Sequence, residues 1–101
     1  MMSANIPTNL RKIVYARDGY RCALCDSTKG LQIHHYISRS DGGSNHPHNL
    51  ICLCWKCHAV AHGTKIPDYP DHIDAAYIQQ ACVEYLADLY CINNWYPFGD
   101  S

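Results

Sequence analysis

The stretch CLCWKCHAVAH, residues 52–62, sets three cysteines and two histidines within eleven positions. Cys54 and Cys57 form a Cys-x-x-Cys knuckle, and CALC upstream supplies a second in Cys22 and Cys25. Two such knuckles present four thiolates that can surround a tetrahedral Zn²⁺. Four thiolates leave no open position for water or substrate, so this zinc is expected to be structural. It would supply roughly 10 kcal/mol or more of folding free energy. The 28 residues between Cys25 and Cys54 exceed the commonest ribbon spacing, so the insert must hold structure of its own. Cys52 competes for a place, but Cys52-x-Cys54 is a poor chelating turn. In an extended run the two side chains point the same way, which puts Cys52 near the site, yet a small buried apolar role suits it better.

The rest of the chain suits that reading. At 101 residues, 48% of them hydrophobic, it is one domain or one domain with an extension, and a core this small gains from a metal. Seven cysteines are an odd count for a closed disulfide framework. The start, MMSANIPTNLRK, lacks the charged and apolar regions of a signal peptide. No apolar run is long enough for a membrane span. A cytoplasmic location with reduced thiols is therefore expected. Charge is segregated. All eight Lys and Arg lie between Arg11 and Lys65, opposed there by three Asp, a net of +5. Residues 66–101 carry five Asp and Glu84 and no Lys or Arg, a net of −6. The basic front suits a polyanion.

Residues 1–7 read as a leader. Thr8 is positioned to cap a short helix carrying Leu10, Ile13, Val14 and Arg17, and Gly19 to stop it. LQIHHYI (31–37) reads as a strand, SRSDGGSNHPH (38–48) as a loop and NLICL (49–53) as a short apolar run. CWKCHAVAHG (54–63) reads as a helix ending at Gly63. After a proline-rich connector, residues 74–94 make the longest helix, capped by Asp71 or Asp74. Its stripe is Ala75, Ile78, Cys82, Leu86 and Leu89, widened by Tyr77, Tyr85 and Tyr90. This face covers the metal domain or pairs with another chain. Core packing is expected for Trp55 and Trp95, and surface positions for His46 and His48.

His58 and His62, four apart on the predicted helix, project one turn apart and can reach one ion, while Cys57 points about 100° away. The knuckle can then serve zinc and the histidines a different ion. His34 and His35 are adjacent on a strand and point to opposite sides. One can bind a metal and the other face a substrate. Three histidines on a metal with open positions, plus a fourth unligated one, suit metal-assisted hydrolysis. An imidazole of ordinary pKa, about 6.5, can take a proton from water near neutral pH.

The segment from Arg11 to His62 resembles the HNH endonuclease family. The matching residues are RDGYRCALC and LQIHHYISRSDGGSNHPHNLICLCWKCHAVAH. The resemblance implies an α+β fold, a small zinc-stabilised ββα-metal (His-Me) finger over residues 8–65. To it the reading adds an N-terminal helix and an acidic C-terminal helical extension over 66–101. By resemblance His34, His58 and His62 are ligands of one catalytic divalent ion. His35 is the general base. Asn49 holds the loop and orients the His35 ring. Cys22, Cys25, Cys54 and Cys57 hold structural zinc. The implied reaction is hydrolysis of a DNA phosphodiester to 5′-phosphate and 3′-hydroxyl ends. An all-imidazole site is softer than a carboxylate site, so Mn²⁺, Ni²⁺, Co²⁺ or Zn²⁺ competes with Mg²⁺. Arg39 is expected at a phosphate near the cut, and Arg11, Lys12, Arg17, Arg21 and Lys56 at backbone contacts. The family serves phage packaging, homing, restriction and defence, and a small member fits a phage or prophage protein, alone, as a homodimer through the C-terminal helix, or in a larger complex. The alternative is a catalytically silent nucleic-acid-binding or protein-interaction module, against which the presence of His35 argues.

Overall fold

A computed structural model describes residues 6–90. Residues 1–5 and 91–101, with Trp95 and the last turn of the expected long helix, lie outside the described residues. The elements are α1 (Thr8–Arg17), β1 (Gln32–His35), β2 (Leu50–Leu53), α2 (Trp55–Ala61) and α3 (Ala75–Tyr90), with short 3-10 turns at Arg39–Asp41 and Pro47–Asn49. The α+β architecture expected from the sequence is the one that forms.

β1 and β2 pair antiparallel, with Ile33 opposite Cys52, His34 opposite Ile51 and His35 opposite Leu50. Residues directly opposed across a ladder share a face. Ile33, His35, Leu50 and Cys52 therefore face one side, and Gln32, His34, Ile51 and Leu53 the other. α1 covers the first side, where Ile6, Val14 and Leu50 are buried with Leu10 and Ile33 against them. α2 and α3 cover the second, where Ile51, Leu53, Val60, Ile78, Cys82 and Leu86 pack together. All four β2 residues are fully buried, as expected for a strand with both faces covered.

Local chemistry explains the boundaries. Pro7, not Thr8, takes the cap position of α1, and no side chain caps that end. Its missing N–H matters little there, where no intrahelical partner exists. Gly19 follows with φ +75° and Gly63 follows α2 with φ +89°. Asp74 caps α3 by accepting from Tyr77 N–H at 2.9 Å. Three residues expected on apolar stripes, Ile13, Tyr77 and Leu89, are exposed instead. α3 needs only Ile78, Cys82 and Leu86 to cover the sheet and α2. Trp55, expected in the core, is 44% exposed. It is the first residue of α2, and its side chain lies against the Gly30 backbone.

A buried ion pair locks the layers together. Asp18 Oδ1 accepts from Arg17 Nε at 2.8 Å and Tyr85 OH at 2.6 Å. Its Oδ2 accepts from Arg17 Nη2 at 2.8 Å and Cys52 N–H at 2.9 Å. Arg17 also donates to Pro47 O, Leu50 O and the Tyr90 hydroxyl. α1, the loop, β2 and α3 thus converge on two side chains, and every Arg17 N–H is used. A buried pair repays its desolvation only when its polar atoms are satisfied this way.

Among the described residues, no helix is long and apolar enough to cross a membrane.

Candidate metal centres and cleft

Two clusters of metal-ligand chemistry lie on the hairpin and α2. In the first, the sulfurs of Cys22, Cys25, Cys54 and Cys57 all lie within 4.8 Å of one another. Cys25 Sγ is 3.6 Å from Cys54 Sγ and 3.9 Å from Cys57 Sγ. Four sulfurs on a tetrahedron at the Zn–S distance of about 2.3 Å stand about 3.8 Å apart. The cluster therefore fits a structural zinc without rearrangement. The turn Cys22–Cys25 is closed by Asp26 N–H donating to Cys22 O at 2.9 Å and is tied to β2 by Ala23 N–H donating to Cys52 O at 2.9 Å. Cys54 is the cap of α2, its sulfur accepting from Cys57 N–H. The Tyr69 hydroxyl lies 3.2 Å from Cys57 Sγ, bringing the connector over the site. Hydrogen bonding from Cys57 pulls Cys22 down to about 4, while burial, above all, pushes Cys25 up to about 11. A zinc ion bound there would displace the thiol protons. Cys52, fully buried opposite Ile33, lies outside the cluster, on the α1 face of the sheet.

The second cluster is His34, His58 and His62, again with ligand atoms within 4.8 Å of one another. His34 reaches it from β1 because it shares a face with Ile51, against which α2 packs. His58 comes from α2, and His62 from the position just past its last turn. His58 Nδ1 bonds Gln32 Oε1. An amide oxygen only accepts, so His58 carries its proton on Nδ1 and presents the Nε2 lone pair. His62 Nε2 is 3.2 Å from that nitrogen. Two imidazoles at about 2.1 Å from one ion place their nitrogens about 3.0–3.4 Å apart. His34 is 6% exposed and its Nε2 has no hydrogen-bond partner, the only such buried side-chain atom among the described residues. The Gln79 amide of α3 is a polar neighbour of the ring and favours its protonated form, against the burial. Burial pushes His34 down to about 3, helped by the neighbouring His58 and His62, and pushes His58 down to about 4, helped by His62. Both rings are neutral near pH 7, the form a metal requires. The donor set fits a divalent ion with open positions.

His35 points to the opposite face of β1 yet opens into the same cleft, of about 760 Å³, bordered by His34, His58, His62, Arg11 and Arg39. His35 Nε2 bonds Asn45 Oδ1 at 2.8 Å. By the same argument Nε2 carries the proton and Nδ1 is free to accept one. The expected partner of this ring was Asn49, and here the structure corrects the reading. Asn49 is fully buried, its Oδ1 accepting from Ile37 N–H at 2.8 Å and its Nδ2 donating to Ile37 O and Ser44 O at 2.9 Å each. Those bonds spend both donors of the side chain, and an acceptor site of its oxygen, on the loop. The loop closes so tightly that a Cβ on Gly43 would stand 1.8 Å from Ile37 O. Asn49 thus fixes Ser44, and the adjacent Asn45 reaches the ring.

Arg39 lines the cleft as expected, joined by Arg11. Arg21 and Lys56 lie outside its lining. Arg17 is withdrawn from the phosphate contacts, since the fold uses all five of its donors. His46 and His48 are half-buried, their rings in contact at 4.0 Å between centroids and tilted by 51°, with His48 edge-on to Tyr90. The sequence reading missed Gln32, Asn45, Tyr69 and Gln79. Only Gln32 carried a signal: two residues before His34 on a strand, it must share that histidine's face.

Compared with protein families, residues 22–64 match the HNH endonuclease model. That span holds both clusters and the cleft histidines but not α1, the connector beyond Thr64, or α3. No curated protein matches the chain.

Proposed function

We propose that this chain, whose residues 22–64 are an HNH endonuclease domain, hydrolyses DNA phosphodiester bonds with one divalent ion and a histidine base. The family supports nuclease chemistry. The observation that carries the finer reading is the unpartnered, buried Nε2 of His34 beside the lone pairs of His58 and His62, with His35 across the cleft. A divalent ion held by those three nitrogens would supply charge stabilisation to the phosphate and the leaving oxygen.

The residues of the chain do the rest. Arg39 and Arg11 at the cleft edge hold the phosphodiester backbone. His35 accepts a proton from water at Nδ1, and the oxygen attacks phosphorus in line with the 3′ oxygen. The P–O3′ bond breaks and the 3′ oxygen takes a proton from solvent. The products are a 5′-phosphate and a 3′-hydroxyl. Asn45 keeps the His35 proton on Nε2, so Nδ1 stays the acceptor. Asn49 keeps the loop that carries Asn45 closed. The four cysteines would hold a structural zinc and so brace the hairpin against α2, which would fix the spacing between His34 and the two helix histidines.

A supercoiled-plasmid assay tests this. With added Mg²⁺, Mn²⁺ or Ni²⁺ the chain nicks or linearises the plasmid, and with EDTA or the substitution His35→Ala it does not. Cleavage retained by a folded His35→Ala chain refutes the base. No cleavage with any ion by the folded, zinc-bound chain refutes the nuclease reading.

A further inference from the structure

The zinc-knuckle end of the molecule carries two exposed aromatic rings that the nuclease reading does not use. Tyr20 is 58% and Trp55 44% exposed. Each is presented rigidly. Tyr20 has φ +56°, a left-handed backbone that glycine adopts freely and a bulky residue adopts only under strain. Its ring lies nearly parallel to that of Tyr15, 13° between planes and 6.1 Å between centroids. The Tyr15 hydroxyl is anchored on Leu31 O at 3.4 Å. Trp55 rests on Gly30, where a Cβ would stand 2.9 Å from the indole side chain. One side of the indole is thus seated on backbone, and Lys56 Nζ stands 5.7 Å from its centroid. Trp55 rests on the segment Lys29–Leu31 at Gly30, and Tyr15, which carries the Tyr20 ring, bonds it at Leu31; the segment leads directly into β1.

The charge around them is basic. Arg21, Lys29 and Lys56 stand beside the rings, opposed by Asp26, which pairs loosely with Arg21 at 3.6 Å. The strip is continuous with the cleft by two routes. Along β1, His35 lies four residue steps beyond Leu31, about 14 Å or about four stacked nucleotides. Along α1, Tyr15 sits one turn from Arg11, which lines the cleft. Rigid rings with an open face, flanked by cations, are the means by which proteins hold unpaired bases, because every base has a face to stack.

We infer that Tyr20 and Trp55, with Arg21, Lys29 and Lys56, form a stacking site for an unpaired DNA strand about four nucleotides from the cleavage point. This rests on the nuclease reading and extends it: the preferred substrate is DNA with a single-stranded segment beside the cut, not uniform duplex. Phosphate contacts alone would favour the duplex, with its denser charge; stacking rings favour the strand whose bases are free.

The test uses the full chain carrying His35→Ala, so that DNA is bound and not cut. Anisotropy titrations compare a single-stranded oligonucleotide with a duplex of equal length. Trp55→Ala and Tyr20→Ala are each expected to weaken single-strand binding roughly 5- to 150-fold, with Trp55→Phe and Tyr20→Phe restoring most of it. Duplex binding is expected to change less than about twofold. In a Trp95→Phe background, indole emission from Trp55 is expected to be quenched by the single strand and not by the duplex. Single-strand affinity untouched by both Ala variants, or single-strand and duplex affinities falling together, overturns the inference. If such a chain with His35 intact still cuts duplex, the nuclease reading stands. A chain that neither binds nor cuts any DNA overturns both.

Discussion

Replacing Gln79 by Leu removes a side chain that lies outside the family match yet sits beside a predicted ligand of the catalytic ion. Gln79 Nε2 donates to Tyr36 O at 2.7 Å, two residues beyond His34, and the amide is a polar neighbour of the His34 ring. Leucine fills similar space and offers no hydrogen bond. The His34 ring, 6% exposed, then meets an apolar group where it had an amide. Loss of such an outer neighbour weakens a metal site by about 10- to 100-fold, or about 1.4–2.7 kcal/mol. The lost hydrogen bond to Tyr36 O costs about 0.5–1.5 kcal/mol of stability, a fall in Tm of about 4–8 °C per kcal/mol for a domain of this size. Titration with Mn²⁺ or Co²⁺ against a competing chelator reads the affinity, and a zinc assay confirms that the cysteine site is full. Gln79→Glu separates the two effects. Its carboxylate keeps a polar neighbour that can accept from the His34 ring and make it a better ligand, while the donor to Tyr36 O is lost. Gln79→Glu should therefore bind the ion at least as tightly as the parent while melting lower. Unchanged ion affinity in Gln79→Leu would refute the reasoning, and so would equal weakening in Leu and Glu.

Three further outcomes follow from the same geometry. Asn45→Ala should lower the cleavage rate about 10- to 100-fold with ion affinity unchanged, since it misplaces the base alone, and Asn45→Asp, which keeps an acceptor, should recover most of the rate; a fall in Mn²⁺ affinity would show instead that the loop had moved. Arg17→Met should destabilise the chain by about 3–5 kcal/mol, because it leaves the Asp18 carboxylate buried among unpaired partners, measured by urea unfolding, whereas Arg39→Ala should leave stability alone and reduce the salt slope of DNA binding by about one. Stability should also fall in acid. The folded chain holds His34 neutral to about pH 3, while an unfolded histidine protonates near 6.5, so the contribution is full above 6.5 and is lost as pH falls below it. Without added divalent ion, the slope has an upper limit of about 1.4 kcal/mol per pH unit from His34, with a smaller share from the half-buried His58. His34→Leu should flatten it in urea midpoints between pH 7 and 5.5, and parallel slopes would refute the assignment.

The parts legible in the sequence are those that chemistry ties to local spacing. Cys-x-x-Cys needs a tight turn, and His58 with His62 needs one helical turn, so both clusters can be read before any fold is known. Strand alternation separates His34 from His35 on the same grounds. Parts that depend on distant packing could not be read this way. Arg17 looks like any basic residue of an amphipathic helix until Asp18, Pro47, Leu50 and Tyr90 surround it. Gln79 stands 45 residues after His34 and carries no charge or motif. Asn45 and Asn49 are four apart in one loop, and only its closure decides which amide meets the ring. The sequence also treated Trp55 as a core residue because a large ring is ordinarily buried; its position at the first turn of α2, over a glycine, overrides that preference.

The bonds from the connector and α3 bear on where the working unit ends. Tyr69 reaches the cysteine cluster, Gln79 bonds Tyr36 O two residues beyond His34, and Tyr85 and Tyr90 close on the Asp18–Arg17 pair, all from beyond residue 64. The familiar 22–64 stretch is therefore not a portable cassette in this chain. Grafted into another scaffold, or cut free at Thr64, it would bring every ligand and none of the struts that aim them. Moving the two clusters into another scaffold would have to move the acidic helix along with the histidines.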